Sequence, residues 1–63
     1  MTKDDFYRKI HESIEEEYED AAKYIELAKD AMNEEDMECL MEIAKQEVMH
    51  RAKLEWIYLK KDI

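Results

Sequence analysis

Apolar positions recur through the first half of the chain at the three- and four-residue spacing of one helix face: Phe6, Ile10, Ile14, Ala21, Tyr24, Ala28 and Ala31, with Glu17 the ionisable member of the row. Continued as one rod, the row would next meet Glu35, Glu38, Glu42 and Lys45, which no apolar seam accepts, so the phase must break. A second row starts in a new register with Leu40, Ile43, Leu54 and Ile57, and here Glu47 and His50 interrupt it. Thr2 followed by Asp5 resembles a capping box and predicts a first helix over about 3–31. A turn is expected near 32–34, with Asn33 capping a second helix over about 34–61. Glu34, Glu35 and Asp36 suit the positive end of that helix, and Lys60 and Lys61 its negative end. The expected fold is therefore all-α, with residues 1–63 forming a single antiparallel two-helix hairpin.

Each helix carries a further apolar row beside the first: Ile14, Tyr18, Ile25 and Met32 on one, Met37, Met41, Ala44 and Val48 on the other. One partner helix cannot cover both rows. Two hairpins packed about a twofold axis would form a four-helix bundle, and the extra rows suggest contacts in a larger annular homo-oligomer.

Composition supports the helical reading, since a 63-residue chain has no Gly or Pro, is 44% charged, and contains no β-branched run that would propose a strand. So short a chain buries only about 60% of its unfolded surface, which makes association the expected route to stability. The formal charge of -8 excludes nucleic acid and anionic membranes as natural partners and favours cations. A lone cysteine, Cys39, excludes an internal disulfide and the paired Cys-x-x-Cys knuckles of zinc or rubredoxin-type iron sites, and is expected to be a small buried hydrophobe. With no charged-then-apolar leader and no run of 18 apolar residues, the expectation is a cytoplasmic protein.

The ionisable residues within the apolar rows carry the chemistry. In a hairpin turning near residue 33, Glu17 stands level with residues 49 and 50, roughly 24 Å from the turn. Three ionisable groups then converge in a core where a bare carboxylate costs several kcal/mol, so they need a common partner, and a metal ion supplies it. A second hairpin would bring its own Glu17, Glu47 and His50, giving four carboxylates and two imidazoles, the inventory of a two-metal four-helix bundle. Oxygen and imidazole donors suit iron or manganese, and carboxylates can bridge two ions.

These residues resemble the ferritin-like di-iron proteins, and within them rubrerythrins and encapsulated ferritins. The resemblance spans nearly the whole chain and rests on Glu17 followed by Ala21, Tyr24 and "LA" at 27 and 28, then on "EIAKQEVMH" at 42 to 50 with its Glu-x-x-His pair. It implies a ferritin-like four-helix bundle with a ferroxidase centre assembled between subunits of a ring. It also implies a di-iron site, with manganese, zinc or calcium as substitutes, and an encapsulin-type shell or nanocompartment as a candidate partner and location. Glu16 and Glu19 resemble the acidic ion-recruiting site of encapsulated ferritins, and Asp20 the additional acid of rubrerythrins. A solvated helix face is the alternative for all three. Tyr24 would hydrogen-bond a ligand carboxylate or pass an electron, with plain packing the alternative. His11, level with Trp56, reads as a packing or surface residue. The chain lacks a rubredoxin module and an obvious cargo tail.

The expected function is a ferroxidase that oxidises Fe(II) with oxygen or peroxide for iron storage or detoxification, with Glu17, Glu47, His50 and Tyr24 at its centre. The alternatives are a rubrerythrin-like peroxide scavenger and a non-catalytic helical oligomer that binds metal inertly or pairs its buried acids with lysines.

Overall fold

A computed structural model describes residues 1–63 as two helices, α1 (Lys3–Lys29) and α2 (Glu34–Tyr58), followed by a short 3-10 turn, Leu59–Asp62. The Thr2 hydroxyl accepts a hydrogen bond from the Asp5 amide at 3.1 Å, starting α1 as its cap, and Asp4 and Asp5 lie in the positive first turn. Asn33 starts α2 in the same way. Its Oδ1 accepts from the Asp36 amide at 2.8 Å, and its Nδ2 donates to the Asp36 carboxylate at 3.2 Å.

Both helices end earlier than their apolar periodicity predicts. α1 stops at Lys29 because the Asp30 and Ala31 amides donate to the carbonyls of Leu27 and Ala28, which tightens the last turn, and Asn33 must be extended (φ -151°, ψ 163°) to cap α2. Lys60 and Lys61 lie beyond α2 in the 3-10 turn. Instead of serving the last α-helical turn, they sit over aromatic rings, with Lys60 Nζ 3.2 Å from the Trp56 centroid and Lys61 Nζ 5.5 Å from that of Tyr58.

The helices pack along the two predicted rows. Only Ile14, Ala21, Ala28 and Ala44 are fully buried, and three of the four are alanines, whose small side chains let the helix axes approach closely. Ile10 and Tyr24 of α1, Ala31 just past its end, and Leu40, Ile43, Leu54 and Ile57 of α2 are half-buried. Two expectations fail here. Phe6 is 42% exposed near the open end, where it stacks edge-on against Tyr7, 5.1 Å away. Cys39 is exposed, on the flank of α2 rather than between the helices.

At the open end Tyr7 and His11 meet Tyr58, with ring centroids 6.3 and 5.5 Å apart. His11 therefore packs on Tyr58, while Trp56 is 64% exposed. The hairpin measures 47 × 14 × 13 Å and exposes 5180 Å². A compact chain of its mass exposes about 4,300 Å². It is thus a rod one helix pair thick, open along both flanks. Neither helix is long and apolar enough to cross a membrane.

Candidate metal centre

Glu17 lies midway along α1 between Ile14 and Ala21, both buried against α2. Across from it, Ala44 is buried one turn before Glu47, and that close approach draws the two carboxylates together. His50 follows Glu47 by one turn on the same side of α2, as the Glu-x-x-His spacing requires. One ligand atom each from Glu17, Glu47 and His50 lie within 4.8 Å of one another, the cluster of metal-ligating residues in this structure.

The electrostatics of the cluster are unresolved within the hairpin. Oε2 of Glu17 is buried and has no hydrogen-bond partner. The imidazole Nδ1 of His50 is 3.6 Å from it, beyond a good hydrogen bond. A side-chain hydrogen bond with Glu17, above all, raises the pKa of Glu47 from its usual value of 4.5. Partial desolvation and the Glu17 charge push it further the same way, while His50 and Lys23 pull it down. Two carboxylates placed together disfavour each other's charge, and a cation between them would relieve that repulsion.

Glu17 is mostly shielded, with 24% of its side chain exposed, whereas His50 retains 55%. The cluster therefore opens toward one flank of the hairpin, the one carrying His50. The sequence places Glu17, Glu47 and His50 at one level, and the structure brings these three together. Glu16 and Glu19 are exposed and stand outside the cluster, and Glu19 lines a shallow groove with Ile14, Glu15, Tyr18 and Arg51. Asp20 is half-buried and pairs with Lys23 at 3.9 Å, and Tyr24 is half-buried beneath the same lysine, whose Nζ is 4.7 Å from the ring centroid. Neither joins the cluster.

Lys23 is the participant that the sequence rows did not reveal. It lies on the polar side of α1, and only its one-turn spacing from Asp20 hints that it reaches back toward the carboxylates.

The donor set fits a divalent cation. It offers hard carboxylate oxygens, one imidazole nitrogen and a buried oxygen lacking any donor, but three residues fall short of the coordination that iron or manganese requires. Comparison with protein-family models, curated proteins and solved structures finds no match to this chain.

Proposed function

We propose that two copies of the hairpin meet on the flank that carries His50, form a ferritin-like four-helix bundle, and bind ferrous iron between their paired clusters for oxidation. The observation that carries this reading is the convergence of Glu17, Glu47 and His50 around an oxygen with no partner. Dimerisation doubles the set to four carboxylates and two imidazoles, enough for two ions. The same flank supplies apolar surface for the contact through Leu27, which is 47% exposed, together with half-buried Ile43, Leu54 and Ile57.

In this reading the chain performs four tasks. The raised pKa of Glu47 couples iron uptake to proton loss at any pH where that carboxyl still carries its proton. Their carboxylates provide negative charge that favours the ferric state over the ferrous. His50 supplies a neutral nitrogen from the exposed rim of the site. The alanines behind the carboxylates hold the two ligand-bearing helices at a fixed separation. Two ferrous ions supply two electrons to one dioxygen, which takes them up with two protons as hydrogen peroxide, and the ferric product leaves.

The test is anaerobic titration with Fe(II), followed by air. The expected result is two ions bound per two chains, then ferric absorbance appearing faster than in buffer, with both lost in Glu47→Ala and His50→Ala. Replacing air by hydrogen peroxide identifies the preferred oxidant. Iron oxidation no faster than in buffer, or unchanged in both variants, overturns the reading.

A further inference from the structure

His50 opens one flank of α2, and Met41, about two and a half turns before it at 3.6 residues per turn, lies on the opposite flank. Between those flanks α2 turns a third face away from α1. There Met49, Ala52, Trp56 and Leu59 follow one another at the three- and four-residue spacing of a single row. All four are exposed, Met49 by 52%, Trp56 by 64% and Leu59 by 75%, and Ala52 and Trp56 line a shallow groove with Lys53 and Ile57. The row belongs neither to the seam between the helices nor to the metal cluster.

Charge along the rod is placed just as unevenly. The formal total of -8 argues against an anionic surface, yet residues 1–11 and 51–63, which form the open end, hold seven Lys and Arg against four Asp and Glu. That end carries +3, and residues 12–50, with three against fourteen, carry -11. Lys53 and Lys60 border the apolar row itself, and Lys60 Nζ lies 3.2 Å from the Trp56 ring centroid. Lysines so placed can lay their stems on apolar surface and extend their ammonium groups to phosphates.

We infer that the row from Met49 to Leu59, with Lys53 and Lys60, is a membrane-surface docking face, and that its occupant is a bilayer rich in anionic phospholipid. Size selects a lipid surface over a protein. The row is about 15 Å long and about 10 Å wide, roughly 150 Å², whereas a specific protein complex buries about 800 Å² on each partner. A fluid bilayer needs no matching shape, because an amphipathic helix sinks its apolar side chains about 5–10 Å into it and Trp favours that depth.

Charge selects anionic lipid and sets the pose. Glu42 and Glu38 continue the outward face of α2 toward the turn, about 21 and 27 Å from Trp56 along the axis. A rod lying flat would press them onto the headgroups. It therefore docks inclined, open end down, with these acids held beyond the Debye length of about 8 Å.

Trp56 is the sole tryptophan, so its fluorescence reports this face directly. The full chain is titrated in EDTA, which keeps metal bridging out, with vesicles of phosphatidylglycerol and phosphatidylcholine in equal parts and with phosphatidylcholine alone. The mixed vesicles are expected to shift Trp56 emission to the blue and to float the protein with the lipid, both effects being lost in about 1 M NaCl. Phosphatidylcholine alone is expected to bind at least tenfold more weakly.

By flotation, Lys60→Gln is expected to weaken binding to the mixed vesicles about fivefold and Lys53→Gln/Lys60→Gln about twentyfold, and Trp56→Ala about tenfold or more. Lys29→Gln removes the same charge near the turn and should leave binding near wild type. All these side chains are exposed, so each variant should keep its helical circular dichroism. Should Trp56→Ala lose helicity, the lysine variants decide. Unshifted emission, equal binding to both kinds of vesicle, a Lys29→Gln loss as large as that of Lys60→Gln, or folded variants that bind as wild type overturns the proposal. Poly-glutamate shifting Trp56 where the vesicles do not would give the face to an acidic polypeptide instead. The metal reading stands or falls separately, since none of these measurements contains iron.

Discussion

His50 Nδ1 lies 3.6 Å from Glu17 Oε2, although the two residues belong to different helices and sit about 24 Å from the turn that joins them. The contact is close enough to attract and too long to satisfy the buried oxygen. Glu47 completes the cluster, and a side-chain hydrogen bond with Glu17, above all, raises its pKa from 4.5. The predictions below follow from this arrangement and from the packing that creates it.

The metal-free protein should lose stability as pH rises from the ordinary carboxylate range through the elevated pKa of Glu47. In that window the folded chain holds a proton that the unfolded chain has released, so the unfolding free energy falls with pH. Thermal melts in EDTA across mildly acidic pH should show this slope, and Glu47→Gln, which cannot titrate, should flatten it. A wild-type melting temperature that climbs through the same window as steeply as that of Glu47→Gln contradicts the raised pKa of Glu47.

Glu17→Gln should separate stability from metal binding. The amide can donate to Glu47 without adding a second charge, so the metal-free variant should melt higher than wild type near neutral pH. Removing an anionic oxygen ligand should also weaken Fe(II) or Mn(II) binding by about tenfold or more, as calorimetry can measure. Tighter binding in the variant would show that Glu17 is not a ligand.

Ala44→Leu should damage the site through packing. Ala44 is 3% exposed, buried between the helices, so a larger side chain is expected to cost ~1–3 kcal/mol in urea denaturation. It should also spread the helices and separate Glu17 from Glu47, abolishing high-affinity metal binding. The same exchange at exposed Ala22 serves as the control and should leave both measurements near wild type.

Asn33→Ala removes both contacts to Asp36 and should destabilise the hairpin by about 1 kcal/mol. Because the turn lies far from Glu17 and His50, metal affinity measured well below the melting temperature should change little. A large loss of affinity would mean that the turn geometry sets the level of the two ligand-bearing helices.

The helical character of the chain, its break at Asn33 and the level of Glu17 with His50 were legible in the sequence, because each depends on local rules: the 3.6-residue period, capping chemistry and a constant rise per residue. Those rules say which residues share a side of a helix and how far each lies from the turn. They do not say how deeply a side chain sinks. Phe6 has the spacing of a covered residue and Cys39 the side-chain type of one, yet both stand exposed, and His50 belongs to the inner row yet keeps over half its side chain in water.

Only the tertiary structure decided these depths, since the crossing of two particular helices and the small alanines between them fix which atoms touch. It also disclosed Lys23 beside the carboxylates, the stranded Glu17 oxygen, and the orientation of the metal cluster and the Met41 row toward opposite flanks. A one-dimensional pattern fixes angle and height along each rod, whereas burial, protonation and the direction of an open site arise from distances between rods.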